Sequence, residues 1–249
     1  MGRLLMSEAL ITLTAVDMNR GRFIAKLQRW YNDSQQGDKA DENSLFIAKS
    51  FLDKRIAKKW WSEVKLSKII MPNAAILLID LQTDFLDWEQ GRMPVDRLGS
   101  EEVIKIANEV LAKNILSEAL TVFIVSKFPP SARIANIFRK NAAMVGTRGA
   151  NIDDRILKPE SSAVFEKSKS SAFSNPEVAD YLKNRGVRDL YVLGVFAEGC
   201  VRATVLDAMK IGFNVCVIEN AVATNAPWKK QFALWIMNRA GALVEKIDA

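Results

Sequence analysis

Short, wholly apolar runs separated by helix-period stretches dominate the chain after Asn73, and this alternation limits the fold more than any other feature. AAILLID, LTVFIVSK, LYVLGV and FNVCVIE lack the in-out alternation of a half-buried strand. Such runs suit strands covered on both faces, as in a parallel sheet between helical layers. Between them, EEVIKIANEVLAKNIL, NPEVADYLKNRG closed by Gly186, the stretch from Cys200 to Ile211 and that from Trp228 to Arg239 repeat apolar residues at helical spacing. ARIANIFRKNAAM reads as a short helix, and SAVFEK and ALVEKI as further strands. The pattern predicts an α/β protein: a three-layer αβα sandwich around a mostly parallel sheet of about six strands. Sheets of this kind bind ligands beyond the carboxyl ends of their strands.

Three chemically distinct residues stand at those ends. Asp80 closes the first run, in IDLQTDF; Lys167 closes the third strand, in VFEKSKSSAF; Cys200 follows the fourth, in LGVFAEGCVRATV. A carboxylate, an ammonium and a thiol on one sheet edge are a set suited to nucleophilic catalysis without imidazole. The 249 residues include no histidine, which excludes Ser-His-Asp and Cys-His sites and histidine-ligated metals within this polypeptide. Two readings of Cys200 stand side by side. A helix start lowers a thiol pKa and makes the sulfur nucleophilic at neutral pH, whereas a small apolar side chain simply packs there. Asp80 has the alternative of capping a turn, and Lys167 that of a solvated strand-end charge. Lys127, at the end of the second run, competes with Lys167 for the cationic role. Cys216, inside FNVCVI, reads as a buried strand residue, and Gly199 fits a tight backbone before the thiol.

Charge divides the chain near residue 70. Residues 1–70 carry 13 Lys and Arg against 8 Asp and Glu, and residues 71–249 carry 22 against 21. Two domains follow: a basic helical N-terminal extension over 1–70 and a catalytic α/β domain over 71–249. Phe23, Leu27, Trp30 and Tyr31 mark one helix of the extension, and Leu45, Phe46, Phe51, Leu52, Ile56, Trp60, Trp61 and Val64 a longer one. The cluster KRIAKKWW mixes cations with aromatics, as nucleic-acid sites do, but packing of its tryptophans against the protein's own core or a second subunit is the expected role. A homo-oligomer, dimer or tetramer, is the expected assembly, with no membrane and no nucleic acid as partners. Two cysteines without a CxxC pair suggest a reducing, cytoplasmic location. LLMSEALITLTAV is broken by Ser7 and Glu8 before it can form a signal-peptide core, and no run is long enough to span a bilayer.

IDLQTDF, FEKSKSSAF and LGVFAEGCVRATVLDAMKIGFNV followed by ENAVAT together resemble the isochorismatase-like cysteine hydrolases, a superfamily that includes nicotinamidases and N-carbamoylsarcosine amidases. The resemblance covers about residues 73–247. It implies that Asp80 is the catalytic acid and base, Lys167 the orienting cation and Cys200 the nucleophile. It also implies a cis peptide at Val195–Phe196, and an oxyanion hole from the N–H groups of Phe196 and Cys200. The implied reaction is hydrolysis of a small amide through a thioester, with no cofactor. Isochorismatase-type ether cleavage needs no cysteine and is the alternative within the superfamily; a non-catalytic scaffold of the same fold, with the basic extension engaging a partner, is the alternative outside enzymology. Where nicotinamidases carry an Asp and histidines for a metal, this chain reads VSKFPPSARI, so no metal is expected. Phe85, Trp88, Phe128, Arg133 and Phe196 are the candidate pocket residues, with Arg133 a candidate holder of a substrate carboxylate.

Overall fold

The computed structural model of the chain describes residues 73–112 and 119–247. The expected extension over 1–70, with its two helices, lies outside the described residues. Six strands form one sheet: β1 (Ala74–Ile79), β2 (Leu120–Ser126), β3 (Ala163–Lys167), β4 (Asp189–Val195), β5 (Asn214–Ala223) and β6 (Leu243–Glu245). Their order is β3-β2-β1-β4-β5-β6, and every neighbouring pair is parallel. The helices are α1 (Thr83–Leu86), α2 (Arg97–Ala112), α3 (Arg133–Phe138), α4 (Pro176–Asn184), α5 (Arg202–Ile211) and α6 (Pro227–Arg239).

Every residue of β1 is buried, as a strand covered on both faces requires. Ala75, Leu77 and Ile79 join one core with Val178 and Leu182 of α4, Val205 and Ala208 of α5, and Ala233, Leu234 and Met237 of α6. Ile76 and Leu78, of the opposite parity, are also fully or almost fully buried, as are Val103, Ile106, Ala107 and Val110 of α2. Right-handed crossovers explain this division: connections running outward from β1 to β2 lie on one face, and those running through β4, β5 and β6 on the other. The result is the three-layer αβα sandwich.

Two local details depart from the periodicity. The helix expected from Cys200 begins at Arg202, because Ala197–Val201 form a wider π turn in which Gly199 leaves helical geometry at φ −103° and ψ −105°. Strand β5 runs on past Glu219 through Asn220–Ala223, with a register shift against β4 between Val192 and Gly194. Gly194 adopts φ +128°, and a Cβ there would collide with the backbone carbonyl of Ile79. The missing side chain lets β4 approach β1 closely where the strand order turns back on itself.

Candidate active site

The switch in strand order falls between β1 and β4, with β2 and β3 on one side and β5 and β6 on the other. Asp80 follows β1 directly and adopts φ 54°, a left-handed conformation rare outside glycine. Its N–H donates to the Ile124 carbonyl at 2.8 Å, and its own carbonyl accepts from Gln82 N–H at 2.8 Å. Gln82 is fully buried and ties three segments together. Its Nε2 donates to the carbonyls of Ser126 (2.8 Å) and Ala150 (2.7 Å), while its Oε1 accepts from Ser126 N–H at 2.7 Å. These bonds hold the ends of β1 and β2 level and present Asp80 and Ser126 to Lys167.

Lys167 Nζ donates to Asp80 Oδ2 at 2.8 Å, to Ser126 Oγ at 2.8 Å and to Cys200 Sγ at 3.3 Å. An ammonium has three N–H donors, and all three are engaged. The ion pair is almost wholly shielded, with side-chain exposures of 0% for Lys167 and 2% for Asp80. Burial pulls the Lys167 ammonium down, but the charges of Asp80 and Cys200 outweigh it, and Lys167 is raised above its ordinary value. It is therefore a fixed cation rather than a proton donor at neutral pH. Lys127 is elsewhere: it pairs with Glu166 at the surface and does not touch Asp80 or Cys200. Geometry thus assigns the central cation to Lys167.

The Cys200 thiol corrects the expectation of a depressed pKa. Burial is the largest cause pushing it up, the neighbouring Asp80 carboxylate adds to this, and Lys167 offsets only part, leaving it at about 12. Desolvation and a facing carboxylate thus outweigh the helix-start effect, and the resting sulfur is a thiol. Cys216 is buried in β5, and burial pushes its thiol up as well.

Beside Asp80 and Cys200 lies a cavity of about 400 Å³ lined by these two residues and by Phe85, Ser126, Phe128 and Phe196 among others. Phe85 and Phe196 meet edge to face, with ring centroids 5.7 Å apart. The Val195–Phe196 peptide is cis. The carbonyl of Phe196 accepts from the N–H groups of Gly199 (3.0 Å) and Val201 (3.2 Å), which folds the turn that carries Cys200. Of the pocket residues expected from the sequence, Phe85, Phe128 and Phe196 line this cavity and Trp88 and Arg133 do not. Trp88 lies beneath the Arg97 guanidinium, 4.7 Å from its ring centroid, and Arg133 is exposed at the start of α3. The cavity instead gains Met93, Arg139, Lys169, Glu198 and Asn225. Sequence spacing gave little sign of these, although a buried glutamine two residues after Asp80 was a visible cue that the strand end is tied down.

Among the described residues no three His, Cys, Asp or Glu side chains gather to hold a metal ion, and the chain has no histidine. The described residues do not fit a metal centre.

Comparison with known proteins agrees with this fold. A "probable inactive nicotinamidase" of Arabidopsis thaliana is 29% identical over 168 residues, 62% of this chain and 83% of that protein. N-carbamoylsarcosine amidase from Arthrobacter sp is 33% identical over 194 residues, 70% of this chain and 69% of the amidase. The crystal structure of the pyrazinamidase of Pyrococcus horikoshii in complex with zinc superposes with a TM-score of 0.63 at 30% identity, covering 70% of this chain and 99% of that one. The isochorismatase domain matches residues 74–249, the span that contains every described strand together with Asp80, Lys167 and Cys200, and the chain belongs to the isochorismatase family of hydrolases.

Proposed function

We propose that the protein hydrolyses the C–N bond of a small, linear, non-peptide amide through a thioester on Cys200. The observation that carries this reading is the Lys167 ammonium bridging Asp80 Oδ2 and Cys200 Sγ. Lys167 occupies Oδ2, and Oδ1 is buried without a hydrogen-bond partner among the described residues. Oδ1 is thus the atom left to accept the thiol proton. As the sulfur attacks the substrate carbonyl, its proton moves to Asp80 and the developing thiolate stays beside Lys167. The carbonyl electron pair moves onto oxygen, where the N–H groups of Phe196 and Cys200 are the proposed donors. Collapse of this intermediate breaks the C–N bond, with Asp80 returning the proton to the leaving nitrogen. Water then attacks the thioester with Asp80 as base, releasing the acid and restoring the thiol. A thiol that rests protonated suits this sequence, since proton transfer and attack occur together and no reactive thiolate is exposed between turnovers.

The same reading carries a cytosolic location and a dimeric or tetrameric assembly, which fractionation and light scattering would check. Ammonia release from a panel of small amides, ureido acids and carbamoyl compounds tests the reaction, with Cys200→Ala as the blank. Turnover of at least one amide by the natural protein and none by Cys200→Ala is expected. A full panel without ammonia release would leave the non-catalytic scaffold as the better reading.

A further inference from the structure

The carboxylates lining the cavity are paired with cations outside its lining, which leaves the cavity's own cations in excess. Its two carboxylates each have a cation: Asp80 has Lys167, and Glu198 Oε1 lies 3.6 Å from Lys229 Nζ. Its two cations, Arg139 and Lys169, have no carboxylate partner among the described residues. Lys169 is exposed, but Arg139 is half-buried and held in place. Its guanidinium carbon lies 3.8 Å above the Phe128 ring, and its Nη1 donates to Asn136 Oδ1 at 3.1 Å. Asn136 is itself buried and gives its Nδ2 to the Pro129 carbonyl at 2.9 Å.

Phe128 is anchored in turn. Its N–H donates to the Ala143 carbonyl at 3.0 Å and its carbonyl accepts from Val145 N–H at 3.1 Å. Ala143 N–H is held by the buried carboxylate of Asp84 at 2.8 Å. This turn places Lys140, Asn141 and Ala143 at φ 53°, 58° and 53°, three non-glycine residues in the left-handed region. Such conformations persist only where surrounding contacts over-determine them. The turn follows directly on Arg139, which ends α3, stacks on Phe128 and lines the cavity.

A guanidinium offers five N–H donors in a planar fork matched to a carboxylate, and one of the five is bonded to the protein. We infer that Arg139 binds a carboxylate of the substrate, so that the substrate class is the small monoamides that also carry a carboxylate. The inference rests on the amidase reading and narrows it. Strand order supplies the orientation: Arg139 belongs to the connection after β2 and Cys200 follows β4, on opposite sides of β1 and Asp80. The carboxylate and the scissile amide therefore occupy opposite ends of the molecule. The cavity of about 400 Å³ has room for such a molecule.

The test compares malonamate, succinamate and glutaramate with the uncharged amides of the same chain length, in which a methyl group replaces the carboxylate. The expected ratio of kcat/KM, acid over neutral, is about 100 or more for the best-fitting chain length. Arg139→Gln is expected to lower that ratio roughly 10- to 100-fold, and Arg139→Lys to restore part of it, with thermal melts confirming the fold. A ratio near one, or a ratio that Arg139→Gln leaves unchanged, overturns the inference while leaving amide hydrolysis standing. If no amide is turned over, the amidase reading fails and calorimetric titration of full-length Cys200→Ala with malonate, succinate and glutarate decides the carboxylate question. Binding weakened at least tenfold by adding Arg139→Gln upholds it; no binding, or binding indifferent to Arg139, overturns it.

Discussion

At Cys200 the sign of one pKa shift decides how the site is to be interrogated. A thiol held at about 12 by burial and by Asp80 exists as thiolate only in a small fraction at neutral pH. Its alkylation by iodoacetamide should therefore rise about tenfold per pH unit from pH 7 to 10, with no plateau near neutrality. Cys216, buried in β5, should stay unlabelled in the folded protein. Because the Asp80 carboxylate pushes the thiol up, Asp80→Asn should speed alkylation while cutting turnover roughly 100- to 10,000-fold. These opposite movements separate a proton acceptor from a residue that merely shapes the cavity; a variant slowed in both would contradict the role. Much at this scale was legible in the sequence, because carboxyl ends of parallel strands share an edge and so gather Asp80, Lys167 and Cys200, although Lys127 stands on the same edge and only the resemblance preferred Lys167 to it. The sign of the thiol shift was not, since it depends on how many neighbours from other strand ends exclude water from the sulfur.

Two element junctions carry the geometry, and each has a measurable weakness. Where β4 passes β1, Gly194→Ala would drive a methyl group into the Ile79 carbonyl, with an expected loss of about 1–3 kcal/mol and reduced turnover as Asp80 and Cys200 move apart. Urea titration gives the first quantity, and an unchanged midpoint would show that β4 can slide without cost. Where β3 ends, Lys167→Met leaves the Asp80 carboxylate buried and unpaired, an arrangement that typically costs about 3–5 kcal/mol. Adding Asp80→Asn removes that stranded charge and should recover part of the loss, so the double variant is expected to be more stable than Lys167→Met alone. The contrast between Arg133 and Arg139 shows where element-level reading stops. Arg133 opens the same short helix that Arg139 ends, and the periodicity correctly marks that helix, but only the helix's placement over Phe128 and Asn136 determines which arginine meets the cavity. In the left-handed turn that follows the helix, Asn141 is of a type that tolerates such backbone, but Lys140 and Ala143 give no sign of it in the sequence. The early helix break at Ala197–Val201 was likewise hidden, because Val201 and Val205 keep helical spacing on either reading.

Across the whole molecule, the described sheet, the triad and the family match all lie within residues 71–249, whose Lys and Arg nearly balance its Asp and Glu at 22 against 21. A chain lacking residues 1–70 is expected to keep its α/β circular dichroism and the pH profile of Cys200 alkylation while changing its oligomeric state by light scattering. Unchanged mass together with salt-sensitive oligonucleotide binding by the full chain would reassign the extension to nucleic-acid contact. The order of strands also bears on how the molecule is made. Strand β1 is the first of the sheet to leave the ribosome, yet it lies in the middle and pairs Ala74 with Asp189 of β4. Its second neighbour therefore arrives only after most of the domain has been synthesised, and pairings of such long sequence separation form slowly. Until then β1 presents an apolar strand with an open edge, the kind of surface that chaperones cover and that aggregates when they do not. The strand that leads to Cys200 closes that edge, so the step that covers β1 is also the one that brings the Cys200 sulfur towards the Asp80 carboxylate.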